Sequence, residues 1–275
     1  MTFEFGYEIR ECGLSDFGLD GTSDTTRWGS STLPQHTAPL PTGPPSARPT
    51  QTPRLRRSMA RVGRERKTEG GIQRVVNGHI PTVDDLVRAR EVFGAHEPRD
   101  VFYRAATDLV ETALRGAGSV SVAEAIAVLL QTWNRPYYQY RPADAAHFEA
   151  MERLLTRHEL WLAETRVRSI DSMSDVDSEA VSAVFPEFEA LLGPVGAAKA
   201  LHLLAPCFLP LWDRRIAAAY GLGLGPVGTN QRRYVRFMQL TREQSLRVGG
   251  ERAVGRNIIK ALDEFNYCRF TKAWM

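Results

Sequence analysis

The stretch "LGPVGAAKALHLLAPCFLPLWDRRIAAAYG", Leu192–Gly221, decides how this chain is read. Gly193-Pro194 is a turn signal, and Gly196 can take backbone conformations closed to other residues while letting a second segment come close. "AAKALHLL" then starts a helix that ends at Pro206, and a short apolar link runs past Pro210 and Trp212 to Asp213. An Asp there is suited to cap the next helix. The first N–H groups of the helix after the turn lack internal partners and lie at the positive end of its dipole, so this start can receive a phosphate oxygen. A plain turn between two packed helices explains the same residues. The pentapeptide returns at Leu224–Gly228, ahead of "TNQRRYVRFM", where Thr229 or Asn230 can cap a helix; this copy reads as a turn or as a second phosphate contact.

The chain around these copies is patterned as helix almost throughout. Thr82 with Asp85 starts a helix through about Phe93, and Pro98–Asp100 opens another. In the second, Val101, Phe102, Ala105, Ala106, Leu109, Val110 and Ala113 recur at spacings of three and four, as a buried stripe does, before Gly116 and Gly118 end it. Ser121 with Glu124 forms a capping box for "VAEAIAVLLQTW", apolar enough to sit centrally. Further helical patterns occupy about 143–168, 177–192, 195–204, 213–220, 230–247 and 251–265, and alternation of period two is hardly visible. The expectation is an all-α protein: a compact multi-helix domain over 71–275 containing a helix-hairpin-helix, with the hairpin near 193–197.

Residues 1–70 read differently. Residues 29–53 are rich in Pro, Ser, Thr and Gly and have little apolar surface to offset the entropy of ordering, so a disordered N-terminal tail is expected. Arg54–Lys67 follows with seven basic residues against one acid, either a nucleic-acid-binding arm or a solubilising linker end. The first residues lack a basic start and an apolar core of the kind a secretory leader carries, and no apolar run approaches the ~20 residues of a membrane span. A cytoplasmic protein with no membrane partner is expected. Cys12, Cys207 and Cys268 have no ligand spacing, so no metal and no cofactor are expected.

Charge is uneven. Residues 70–228 hold 15 Lys/Arg against 20 Asp/Glu, whereas 229–275 hold 10 against 4. Arg232, Arg233 and Arg236 share much of one helix face there, as a phosphate-binding surface or as a solvated one.

A helix, the turn G-P-V-G-A-A-K-A, a second helix, and an apolar link to an Asp opening the next helix together resemble the helix-hairpin-helix DNA glycosylase superfamily. The motif covers about 177–221. The resemblance implies a DNA partner, with Val195, Gly196 and Ala197 gripping a phosphate through backbone amides and Asp213 as the catalytic carboxylate. That carboxylate would stabilise positive charge on the deoxyribose as the base departs, or activate the attacking water. Lys199 is the candidate amine, one position later than the catalytic lysine of bifunctional members, which favours base excision without strand nicking. Enzymes of this class extrude a base and hold it, for which Asn134, Tyr138, Trp212 and His202 are the candidates. Two other readings stay open: a DNA-binding domain without chemistry, and a helical protein-interaction module.

Overall fold

Six helix starts among the described residues are set by side chains that accept the first unpaired N–H groups. The computed structural model describes residues 80–139, 141 and 143–275. The tail expected over 1–70, the basic run Arg54–Lys67 and Cys12 lie outside the described residues. Among those described there are eleven α-helices and no strand, the all-α class expected. None of the helices is long and apolar enough to cross a membrane. Thr82 and Asp85 form the expected capping box at α1 (Val83–His96), and Ser121 and Glu124 form that of α3 (Val122–Trp133). Between them runs α2 (Asp100–Leu114), followed by the positive-φ residues Gly116 and Gly118.

The buried face of α2 differs from the expected stripe. Tyr103, Ala106 and Val110 are buried, while Val101 and Phe102 are 48% and 39% exposed and Ala105 is also exposed. Tyr103 sets this rotation. Its ring stacks on Trp133 of α3 and its hydroxyl meets His202 at 2.9 Å, so a polar aromatic takes the core position that the apolar count assigned to its neighbours.

After the four-residue α4 (Arg135–Tyr138), the single helix expected over 143–168 is two, α5 (Ala145–Arg157) and α6 (Glu159–Arg166). They part at His158, whose ring lies against Phe188 and whose Nε2 is 3.4 Å from Glu187. A 3-10 turn, Ile170–Ser172, leads to α7 (Asp175–Leu204), capped by Ser174 with Asp177, two residues before the expected start. The rest is α8 (Arg214–Ala219), α9 (Gln231–Val248), α10 (Gly250–Val254), α11 (Ile258–Asn266) and a π-helical turn, Tyr267–Thr271. The helix expected over 251–265 is thus divided, at left-handed Gly255, and restarts where the Asn257 side chain accepts from Lys260 N at 3.1 Å.

Helix α7 is the axis of the main core. Helices α2, α3, α5 and α9 pack on it, and every residue from Gly196 to Leu204 is buried. A smaller apolar cluster joins α1 to α11 through Leu86, Ala89, Ile258, Ala261, Leu262 and Phe265.

The two helices expected on either side of the hairpin are present, but the link between them is one residue. Only Gly193 leaves helical geometry, at φ 70 and ψ 168. Pro194 follows at the first helical position, where a missing N–H removes nothing. The break releases carbonyls, and the exit of α3 takes them: Tyr137 OH donates to Leu191 O at 2.8 Å and Asn134 Nδ2 to Leu192 O at 3.4 Å. Both side chains press close enough to forbid a Cβ, which at Gly193 would lie 2.8 Å from Tyr137 Cε2 and at Gly196 2.8 Å from Asn134 Nδ2.

Gly193→Ala therefore combines left-handed strain with a ring clash and is expected to destabilise by roughly 2–4 kcal/mol. Gly94→Ala, inside α1 with nothing within 4 Å of the new methyl, is expected to stabilise by ~0.5–1 kcal/mol. Urea unfolding of the two variants checks the contrast; equal midpoints would remove Gly193 from its role.

Candidate functional site

Asp213 is an N-cap by type and by geometry. Its Oδ1 accepts from Arg215 N and Ile216 N, both at 2.7 Å, and its Oδ2 accepts from Thr271 Oγ1 at 2.6 Å. Three donors therefore hold the carboxylate in one orientation. Trp212, immediately before it, donates its indole N–H to Pro194 O at 2.9 Å, fastening the Asp213 helix start to the break in α7.

Lys199 stands six residues beyond the break at Gly193 and is buried. Its Nζ donates a short hydrogen bond to Trp133 O, and burial pushes its pKa down to about 8 against the opposing pull of the Asp213 and Asp263 carboxylates. Asp213, the other residue the sequence marks as catalytic, thus bears on Lys199 from a separate element.

A wider ring surrounds them. Trp133 Nε1 donates to Arg99 O at 3.0 Å; the Arg99 guanidinium forks onto Glu97 at 2.7 Å and reaches Tyr267 OH at 2.8 Å. The Arg99 hydrogen bonds, with help from Tyr267, hold the Glu97 carboxyl down at about 2. Arg215 Nη1 donates to Thr271 O at 2.6 Å, and Lys272 lies over the Tyr267 and Trp274 rings.

Beneath this ring lies a buried ion cluster that the sequence reading missed. Lys260 Nζ is 3.3 Å from Asp100, 3.5 Å from Glu264 and 3.8 Å from Asp263, and sits 4.5 Å from the Phe93 and Tyr103 ring centres and 5.4 Å from that of Trp133. Glu264, fully buried, also pairs with Arg90 at 2.8 Å and Arg256 at 2.9 Å. Burial, with the Glu264 and Asp213 charges adding to it, pushes Asp263 up to about 7 against the pull of Lys260. The signal was in the sequence: Lys260, Asp263 and Glu264 are spaced i, i+3, i+4 inside "IIKALDEFNYC", so three charges share one face of an otherwise apolar helix.

The other candidates fall in different places. Val195 is half-exposed, whereas Gly196 and Ala197 are buried. Asn134 supports the break, and Tyr138 meets His147 Nε2 at 3.1 Å on the rim of α5. Trp212 is 1% exposed between Phe185, Tyr234 and Phe237, and His202 is fully buried between Tyr103 OH and Leu209 O. Both are core residues in this structure, buried and bonded within it. Arg233 turns back onto Thr229 O at 2.6 Å and Arg236 reaches Gln239 at 3.2 Å, while Arg232 is exposed. Among the described residues none of the three bonds to the Lys199–Asp213 site; the cations that do border it are Arg99, Arg215 and Lys272. The second LGPVG is closed by Asn230, whose Oδ1 accepts from Gly225 N at 2.7 Å and whose Nδ2 donates to Pro226 O at 2.9 Å.

Two surface depressions accompany the fold. One, of about 460 Å³, is lined by Ser121, Glu124, Phe148, Glu149, Glu152 and Arg153; the other, of about 360 Å³, lies at the start of α7 beside Gln239 and Arg242. Neither includes Asp213 or Lys199. Among the described residues no group of three or more His, Cys, Asp or Glu is arranged to hold a metal ion. No protein-family model, no curated protein and no solved structure matches this chain.

His202 gives the site's scaffold a pH signature. Burial pushes its pKa down to about 3, so the folded protein keeps it neutral while the unfolded chain protonates near 6.5. Stability from this residue is then lost as pH falls from about 6.5 toward 3, by up to ~1.4 kcal/mol per pH unit. His202→Asn lacks that loss, so the stability gap between parent and variant is expected to narrow over this interval in urea unfolding followed against pH. A constant gap would mean that His202 titrates normally.

Proposed function

We propose that the protein is a helix-hairpin-helix DNA base-excising enzyme acting on a damaged or modified base. The observation that carries the reading is the Trp212 indole bond to Pro194 O, which fastens the helix start at Asp213 to the α7 break that precedes Lys199. In this reading Val195, the half-exposed residue of the break, meets the DNA backbone, and Arg99, Arg215 and Lys272 add positive charge around Asp213. Asp213 stabilises the positive charge that grows on the deoxyribose as the base leaves, or takes a proton from the attacking water. Its two backbone N–H donors and Thr271 keep it aimed.

A DNA-binding domain with the same architecture and no chemistry is the second reading. It is favoured by the burial of Trp212 and His202 and by the placing of two surface depressions away from Asp213.

Asp213→Asn separates the two. Asn caps a helix about as well as Asp, so the fold and DNA affinity are expected to persist while release of free base falls by on the order of 100-fold or more. The measurement is release of free bases from a panel of modified duplex and single-stranded DNAs, with binding followed at two salt concentrations. Base release that survives the substitution would remove Asp213 from the chemistry. Salt-dependent binding with no base release from the parent would leave the binding domain. A parent that binds no DNA at either salt would end both readings.

A further inference from the structure

The segment that follows α11 lies over the Asp213 carboxylate. Of the two oxygens, Oδ1 is held by the backbone N–H groups of Arg215 and Ile216, while Oδ2 accepts from the Thr271 hydroxyl at 2.6 Å. Thr271 O in turn accepts from Arg215 Nη1 at 2.6 Å, so the segment is fastened to the first turn of α8 through both its side chain and its backbone. The oxygen that the helix start leaves over, the one available to a substrate or to water, is therefore taken by the protein itself.

This cover is lightly held and strained. Its root is in the core, where Phe265 and Cys268 are buried. From Thr271 on, the residues are half-buried or exposed. Two backbone bonds tie this part among the described residues, Lys272 N to Tyr267 O at 3.0 Å and Trp274 N to Cys268 O at 2.8 Å. Lys272 Nζ rests 5.6 Å from the Tyr267 ring centre and 5.4 Å from that of Trp274, Trp274 lies 5.3 Å from His96, and Met275 touches the small α1–α11 cluster. The turn between the root and the outer part is π-helical, and Ala273 is the one non-glycine residue among those described with a positive φ, at 54. A left-handed alanine is strained, and such strain persists only where the surroundings hold it, as in segments that switch between two seatings. Few buried contacts, exposed backbone bonds and a strained residue are what let a segment open while the core stays folded.

We propose that Thr271–Met275 is an autoinhibitory strap: it holds the Asp213 carboxylate covered in the resting protein and swings out about the π-helical turn to free it. The inference rests on Asp213 being the working carboxylate of the proposed enzyme. Only Oδ2 changes partner in the movement. When Thr271 leaves, the two N–H groups on Oδ1 still aim the carboxylate, and the freed oxygen can face the deoxyribose or the attacking water.

The test reads the Asp213 carboxyl directly, in the full chain and without DNA. A water-soluble carbodiimide couples glycinamide to accessible carboxylates, and the extent at Asp213 is followed by peptide mass spectrometry against that at Asp144, the exposed N-cap of α5. The parent is expected to label at Asp213 well below Asp144. Thr271→Val, which keeps the shape and removes the donor, is expected to raise labelling at Asp213 about ten-fold or more, the worth of a hydrogen bond to a charged group. Ala273→Gly touches neither partner of that bond but relieves the left-handed residue, and is expected to lower the labelling about five-fold or more by favouring the closed strap. Equal labelling of Asp213 and Asp144 in the parent overturns the proposal even if neither variant folds. An unchanged rate in Ala273→Gly overturns it as well, since Thr271 would then be a local partner of Asp213 and not the tip of a moving segment. The labelling is read whether or not the protein releases bases, so its failure is distinct from that of the base-excision reading.

Discussion

A single left-handed residue, Gly193, organises the protein. Without it α7 would run as one rod of about 45 Å, the length of 30 helical residues at ~1.5 Å each. With it the chain turns within one residue, and the carbonyls so released become sockets. Tyr137 and Asn134 fill those of Leu191 and Leu192, and on the far side of the break the Trp212 indole adds a bond to the Pro194 carbonyl. Each partner brings its own segment with it: the end of α3 on one side, the start of α8 on the other. The meeting of Lys199 with Trp133 O and with the charge of Asp213 follows from the same three bonds.

The second organising feature is costlier. Helix α11 buries Lys260, Asp263 and Glu264, and the desolvation of such groups offsets much of their mutual attraction. An apolar replacement of the whole cluster could be as stable. What the charges add is selectivity in packing: Glu264 must find Arg90 and Arg256, and Lys260 must find Asp100, so α11 has one seating against α1 and α2. The aromatic rings around Lys260 favour its charge from the faces the carboxylates leave open.

How much of this was legible depended on whether the signal was local. The capping boxes at Thr82 and Ser121 and the cap at Asp213 involve residues within one turn of each other, and all three stand where the sequence places them. The face of α2 was misjudged because apolar spacing ranks Phe102 above Tyr103, while the hydrogen bond to His202 and the stack on Trp133 come from 99 and 30 residues away. Trp212 and His202 look like site residues because both lie near Asp213 or Lys199 in sequence, yet each uses its polar atoms on core carbonyls and hydroxyls. Lys199 and Asp213 could be linked by their places on successive helices; the Lys260–Asp263–Glu264 cluster could be suspected only from three charges on one face of an apolar helix.

The two LGPVG copies carry this point furthest, since identical residues take different structures. In the first, the glycine at the second position is left-handed, the proline starts a helix and the last glycine lies under Asn134. In the second, the last glycine is left-handed, at φ 85, and the peptide is a loop closed on itself by Asn230. The difference lies outside the pentapeptide. After the first copy "AAKALHLL" offers a helix with a face to bury, so the proline becomes its first residue; after the second, Thr229 and Asn230 compete for the backbone through their side chains and win before a helix can begin. The Asn230 amide also reaches back to the buried Glu189 on α7, so even the self-contained copy is held against the helix that the other one breaks. A motif of this size sets which conformations are open, and its neighbours decide which of them can be satisfied.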